Sequence, residues 1–372
     1  MQREKNSAGV LVCAASAETI NKAGCVGRLL WAMAICLFAS LAHADTYYVN
    51  QSGSDSNAGT ANAPFRTISQ ALSFIGTAPG GGAGQAVEVA GGTYNEGLLF
   101  NLPSGISWDQ PFTLRARAGD VVTVKGNNIG NVYIADGIDY YSVIDGFVFD
   151  GANAAQDQVT IGSCCDPQPR LVRFQNNEFI NNRYGTFFIS GSNIEVVNNK
   201  IHGGFEEYTG CGQIHCFGYA FYVTGSNNLF SGNEIYDVAS WVFHIYEYAP
   251  HNGGPHDNIV EGNTIHDFGF GDPRADAILL SSGQGNDAYN NVVYNGSRGI
   301  SIWRGCNGCV ISNNTVSNMN ICLEVASSAN AVVENNTLTN CLGSYIGIQP
   351  NLVSLTLSNT FCDGTAANCL LR

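Results

Sequence analysis

Through the second half of the chain, short apolar-polar alternations are separated by asparagine-rich punctuation. The punctuated segments read QNNEF, VNNKI, SGNEI, EGNTI, YNNVV, SNNTV, ENNTL and LSNTF. Taking the last Asn of each as a mark gives Asn177, Asn199, Asn233, Asn263, Asn291, Asn314, Asn336 and Asn359, at intervals of 22, 34, 30, 28, 23, 22 and 23 residues. A base period near 22 with longer insertions identifies a solenoid in which each repeat closes one coil. The apolar residue two places after each mark points the same way, because side chains alternate along a strand. A second strand follows in each repeat (GTFFIS, YAFYVTG, WVFHIYEY, DAILLSS, GISIWRG, ICLEVAS), and a third, shorter one leads into the doublet, as in CVISNN. Three strands per coil predict an all-β, single-stranded parallel β-helix. The asparagines then stack in one turn, each amide bonding to the coils above and below.

Aligning the second strands separates their two faces. Phe187, Phe221, Phe243, Ile278 and Ile300 form one inward column, and Ile189, Val223, Ile245, Leu280 and Ile302 the next. Outward columns hold Phe188, Tyr222, His244, Leu279, Ser301 and Glu324, then Ser190, Thr224, Tyr246, Ser281, Trp303 and Ala326. Aromatic rings on an outward sheet face suit the apolar C–H faces of sugars. Cover by the long insertions is the other way to account for them.

The first 44 residues follow a different pattern. Arg3, Lys5, Lys22 and Arg28 precede the apolar run LLWAMAICLFASLA, and AHA stands before Asp45. That is the form of a secretory signal peptide, too short in its apolar part for a comfortable membrane span. The expected organisation is therefore a signal over residues 1–44 and one β-helix domain over 45–372, secreted or periplasmic, with no membrane contact after cleavage. Of 30 acids and 16 bases, the leader holds 2 and 4, leaving 28 against 12. Such a balance argues against nucleic acid as a partner. A monomer is expected. Ten of 13 cysteines remain, an even number that suggests disulfides in an exported chain, expected between neighbouring parts of the solenoid: Cys306 with Cys309 and Cys362 with Cys369. Zinc is the competing use of Cys306-Asn-Gly-Cys309, though no second C-x-x-C accompanies it.

The asparagine-marked coils resemble the right-handed β-helix repeats of the pectate-lyase-like superfamily. The stretch TYYVNQSGSDSNAGTANAPFRTISQALSF, followed by AGGTYNEGLLF and PFTLRARAGDVVTVKG, is similar to the amino-terminal part of many secreted polysaccharide lyases. The resemblance implies that TISQALSFI is a short helix capping the open end of the core. It implies the fold more strongly than the reaction.

The longest insertions surround residues 203–218, 247–258 and 267–275, and such loops cluster on one face of a solenoid. Within the second lies YEYAPH, which resembles the Y-x-x-D-P-H segment of mannuronan C-5 epimerases. By position, Tyr246 and His251 match that family's catalytic tyrosine and histidine. Ala249 replaces the motif aspartate, and the aspartate expected on the next coil registers with Ser281. Glu247, Asp257 and Asp276 are nearby acids. The resemblance implies abstraction of the C5 proton of a uronic acid, with its carboxylate neutralised by arginine or calcium. Arg274, Arg298 and Arg304 flank the strand face, and a guanidinium fork suits a carboxylate. Pairing of Arg298 with Asp276, its neighbour on the adjacent coil, is the structural alternative. Calcium is the one candidate cofactor, with Asp257, Asp272 and Asp276 as oxygen ligands and no spacing motif behind them.

The candidate catalytic set is Tyr246, His251, His256, Asp257 and Arg304. The candidate substrate-binding set is Tyr222, His244, Trp303, Arg274, Asp276, Glu247 and His215. His202 and His266 fall three places after their marks and are read as repeat decoration. The function expected is a polysaccharide lyase or C-5 epimerase acting on an acidic polysaccharide. A glycoside hydrolase using Glu247, Asp257, Asp276 or Glu324, or a non-catalytic carbohydrate-binding β-helix, are the alternatives.

Overall fold

The computed structural model describes residues 45–99, 102–134, 137–162, 168–203, 218–246, 254–270, 272–328, 330–348 and 354–364. The proposed signal segment, His215, Glu247, His251 and Cys369 lie outside the described residues.

All the ladder pairings are parallel, and they form three ladders. The first runs from Thr46–Val49 to Leu355–Ser358 through twelve strands. The second carries the strands that follow the asparagine marks, such as Glu178–Ile180, Lys200–His202 and Glu234–Val238. The third contains Val159–Ile161, Phe187–Ile189, Phe221–Val223, Phe243–Ile245 and Asp276–Ser281. From Val292–Trp303 onward, second and third strands run on as single long strands, Thr315–Val325 and Thr337–Ile348 following. The expected inward columns are buried in register, and Phe187, Phe221 and Phe243 stack at centroid separations of 5.0 and 4.5 Å.

The asparagine doublet has two physical jobs. Its first residue turns the chain through the left-handed region: Asn176, Asn198, Asn290, Asn313 and Asn335 have φ of 55–58°. Gly232 and Gly262 take that place in SGN and EGN, with φ of 67° and 61°, a conformation that suits Asn and Gly best. Its second residue points inward and stacks. From Asn177 to Asn336, each backbone N–H and each Nδ2 donates to the next Asn Oδ1 at 3.2 Å or less. Asn263 shows the full valence. Its Oδ1 accepts from Asn233 twice, and its Nδ2 donates to Phe230 O and Asn291 Oδ1. The expected column is borne out from Asn177 to Asn336. Asn359 needs correction: Phe361 pairs with Thr337 and Cys362 with Leu338, one residue out of the expected register. Asn359 is itself the left-handed residue (φ 47°), so Phe361 faces outward, 59 % exposed.

A second ladder was not anticipated. Asn228, Asn258 and Asn286 accept from the backbone N–H of Ile194, Asn228 and Asn258 at 2.8–3.1 Å. They obey the same grammar, because Asn227, Asp257 and Gly285 precede them with φ of 54–59°.

The amino-terminal end is closed as expected. Helix α1, Ile68–Ile75, is capped by Thr67, whose hydroxyl accepts from Gln70 N, while the Glu96 carboxylate accepts from Ile68 and Ser69 N–H. Ile68, Ala71 and Leu72 are buried, and α1 packs on strands Thr46–Val49 and Ala86–Val89. Disulfides join Cys306 with Cys309, as expected, and Cys322 with Cys341 on adjacent coils. Cys362 is also disulfide-bonded. Among the described residues no helix is long and apolar enough to cross a membrane.

Candidate active site

Strand alternation places the side chains of His244 and Tyr246 on the outward face of the third ladder, one position either side of the inward Ile245. On the following coils Leu279 lies beside His244, and Ser281 pairs with Trp303. This face is not an open platform. His244 is 9 % exposed, and Asp276, Leu279, Ser281 and Ser301 are buried as well. Stacked-ring exposure along the whole column, one expectation for a sugar surface, is therefore replaced by a cavity of about 300 Å³. Its walls are Trp241, His244, Tyr246 and Trp303, the three arginines 274, 298 and 304, and Asp276, Leu279 and Ser281.

Tyr246 is held from two sides. Its ring stacks on His244 at 5.1 Å, and Arg304 Nη1 donates to its hydroxyl oxygen at 2.9 Å, with the guanidinium carbon 5.4 Å from the ring centre. Arg304 itself turns through φ 49°, a bend that sends the next residues into the Gly305–Cys306 corner. His244 is packed between Tyr222, Trp241 and Tyr246. Burial, aided by the positive charge of Arg304, pushes its pKa down to about 4, so the ring is neutral above that pH. Tyr222 thus supports His244 from the preceding coil and does not line the cavity.

Burial pushes Asp276 the other way, to about 7, opposed by the hydroxyl of Ser301, which donates to it at 2.5 Å, and by the charge of Arg298. The expected Arg298–Asp276 pair is a register neighbour only. Arg298 donates through Nη1 to Glu324, one coil further on, at 2.7 Å. Arg274 lies against Asp272, with Nε 3.6 Å from Oδ1. Three buried polar atoms on the cavity walls have no partner: His244 Nδ1, Arg298 Nε and Trp303 Nε1.

The structure thus brings together Tyr246, His244, Trp303, Arg274, Arg304 and Asp276. His256 and Asp257 sit elsewhere. Asp257 is the left-handed corner residue before Asn258, and its carboxylate meets His256 Nδ1 at 2.9 Å. The aspartates considered for calcium do not converge, since Asp257 is at that corner, Asp272 holds Arg274 and Asp276 is bonded to Ser301. Among the described residues no three His, Cys, Asp or Glu side chains group as metal ligands, so the described aspartates do not form a site for that ion. His202 and His266 belong to a separate stack, His202–Tyr236–His266–Tyr294, with centroids 4.7–4.9 Å apart on the second ladder.

Sequence reading missed Trp241, which enters from the turn before the strand. It also missed the hydrogen bond between Tyr219, one coil upstream, and Asp157, three coils upstream. Tyr219 reaches Asp157 across Gly185, where a Cβ would lie 2.3 Å from the Asp157 carboxylate. Another hollow, about 340 Å³, lies by α1, but its Glu96 is committed to the helix end.

A parallel three-ladder solenoid with a walled cavity on one outward face defines a β-helix protein of the pectate-lyase-like kind. Residues 115–316 match the family described as right handed beta helix region, and the chain belongs to it. It is 31 % identical over 185 residues to a pectate lyase of Emericella nidulans, covering 49 % of this chain and 39 % of that protein. The chain thus spans about two fifths of the curated relative it matches. In structure it is similar to an alginate lyase from Paenibacillus (17 % identity, 76 % of this chain and 93 % of that one, TM-score 0.53). It is equally similar to a lacto-N-biosidase from Eubacterium ramulus (11 % identity, 90 % and 70 %, TM-score 0.53). Those two likenesses concern the fold alone.

Proposed function

We propose that this chain is an exported enzyme that acts on an acidic polysaccharide by removing the C5 proton of a uronic-acid residue, as a lyase or a C-5 epimerase. The observation that carries the reading is the Tyr246 hydroxyl held by Arg304 inside a cavity that two further guanidiniums line. A proton alpha to a carboxylate is removed only if the charge passing into that carboxylate is compensated. Arg274 and Arg298, which line the same cavity, supply positive charge there. Tyr246, in its ionised form, takes the proton from C5, and Arg304 stabilises its oxygen while it carries charge. In a lyase the C5 electron pair then expels the C4 oxygen, which takes the proton from the Tyr246 hydroxyl, leaving a C4–C5 double bond. In an epimerase a second group returns a proton to the other face of C5. The name of the Emericella relative supports a polyuronate substrate.

Hydrolysis of a glycoside needs two carboxyl groups flanking the bond. Among the described residues Asp276 is the one carboxylic acid on the cavity wall, while Glu324 is tied to Arg298. This favours proton abstraction. The test is turnover of pectate and alginate followed by ultraviolet absorbance of the unsaturated product and by solvent-hydrogen exchange at C5. Tyr246→Phe should lower either signal by about 10²–10⁴-fold, the span of one general acid-base group, with polymer binding kept. If polymer binding persists and wild type gives neither signal, the protein is a binding module.

A further inference from the structure

We infer that the Cys306–Cys309 disulfide is a positioning element for the cavity, clamping the bulge that carries Arg304 so that its guanidinium stays on the Tyr246 hydroxyl. The consequence for turnover rests on the proposed reading of the cavity, whereas the clamp rests on the corner itself. On adjacent coils Ser281 pairs with Trp303, Gln284 with Asn307 and Asp287 with Val310. Residues 282 and 283 fill the first gap on one coil, and residues 304–306 fill it on the next. The extra residue therefore lies in Arg304–Gly305–Cys306, directly after Trp303. The chain absorbs it by passing Arg304 and Gly305 through the left-handed region, with φ of 49° and 86°, and by closing a turn from Cys306 N–H to Trp303 O at 3.2 Å. A long side chain stays in that region only where its surroundings hold it.

On the inner side of the bulge a covalent bond takes the place of an asparagine. In the ladder Asn228–Asn258–Asn286 each stacking residue follows a left-handed one, and on the next coil Gly308 (φ 65°) precedes Cys309 in that place. Asn286 Nδ2 ends the ladder against Cys306 Sγ at 3.8 Å. Both cysteines are fully buried, and their bond ties the end of the bulge to the stacking position. Such a cross-link removes backbone paths that the open chain could take. On its outer side the same bulge presents Trp303 and Arg304 to the cavity, where Arg304 Nη1 donates to the Tyr246 hydroxyl. Cys306 and Cys309 act through Arg304 and are positioning residues.

The experiment measures how fast phenylglyoxal, an arginine reagent, modifies Arg304 relative to Arg115 on the first ladder, with peptide mass spectrometry as the readout. Cys306→Ser with Cys309→Ser should raise the rate at Arg304 by about fivefold or more, as loss of one hydrogen bond from a charged group allows. Cys322→Ser with Cys341→Ser, which opens the disulfide away from the cavity, should leave it within about twofold. Cys306→Ala with Cys309→Asn supplies the ladder's own residue type at the stacking position, so it keeps the question open to test if the serine pair fails to fold; it should release Arg304 as well. Thermal melting of each variant checks the fold. Where wild type turns over a polyuronate, the serine pair should lower kcat by about tenfold or more with KM within about twofold, the mark of a displaced group rather than a lost binding contact. A folded variant of either kind in which Arg304 reacts at the wild-type rate overturns the inference, whether or not the chain turns over any polymer. Release of Arg304 in the variants with no turnover by wild type upholds the clamp and counts against the proposed function alone.

Discussion

The asparagine corner and the outward face of the third ladder are built from the same coils, yet they treat buried polar groups in opposite ways. At the corner every amide of Asn263 has its full set of partners, and the column repeats from Asn177 to Asn336. On the outward face, His244 Nδ1, Arg298 Nε and Trp303 Nε1 are buried without partners, and Asp276 is forced toward its neutral form. A fully paired polar column stabilises and fixes register, whereas unpaired donors around a cavity cost stability in the free protein and are relieved when a ligand arrives. Between these two regions the difference separates a register-fixing column from a cavity wall; unpartnered buried atoms also occur elsewhere along the coils, as at Gln158 Oε1 and Thr186 Oγ1.

The largest effect should come from breaking the paired side. Asn263→Ala strips partners from Asn233, Phe230 and Asn291 at once and should cost about 3 kcal/mol or more, since each buried group left unpaired costs roughly 1–3 kcal/mol. Chemical denaturation against wild type measures this, and a loss below about 1 kcal/mol would show that the column is decoration.

Next is the disulfide between coils. Reducing Cys322–Cys341, which closes a loop of 19 residues, should lower stability by about 3 kcal/mol, as chain-entropy arguments give for loops of that length. A double Cys→Ser variant with an unchanged unfolding midpoint would contradict it.

The unpaired side predicts a change of opposite sign to that of Asn263→Ala. Trp303→Phe removes a buried N–H that has no partner and keeps most of the ring, so stability should stay level or rise by up to about 1 kcal/mol. Affinity for oligouronates should fall. A destabilisation comparable to that of Asn263→Ala would erase the distinction between the two regions.

The last comparison is in pH dependence. Asp276 has its folded pKa raised from 3.8 to about 7, so between those values the native state holds a proton that the unfolded chain has released. Its contribution makes stability fall as pH rises through that window and levels off above it. His244, lowered from 6.5 to about 4, acts in reverse, and its contribution makes stability rise from about pH 4 to 6.5. The stability difference between Asp276→Asn and wild type should therefore grow in favour of the variant from pH 4 to 7. A difference independent of pH would show that Asp276 titrates normally.

The scaffold was legible in sequence because its rules are local. A left-handed corner residue followed by an inward Asn yields the doublet, and alternation then orders Phe187, Phe221 and Phe243. The Asn228–Asn258–Asn286 ladder went unread because Asp257 and Gly285 fill the corner position that asparagine fills elsewhere. Asn359 misled for a related reason, being the corner residue with Thr360 in the stacking place. The site was less legible, because register gives neighbours but not partners. It placed Arg298 beside Asp276, while the guanidinium reaches one coil on, to Glu324. Nor does sequence proximity place a residue in a cavity. His256 and Asp257 stand a few residues after Tyr246, yet one coil's turn carries them to the corner of another ladder.

The outward face around Tyr246 is proposed as a site of proton transfer at C5. It is tested most directly by incubating the protein with pectate and with alginate in deuterated water and measuring deuterium at C5 together with unsaturated ends. The account predicts one or the other signal with wild type and loss of it by about 10²-fold or more in Tyr246→Phe. An undiminished signal in Tyr246→Phe, or neither signal from wild type on polymers it demonstrably binds, would contradict it.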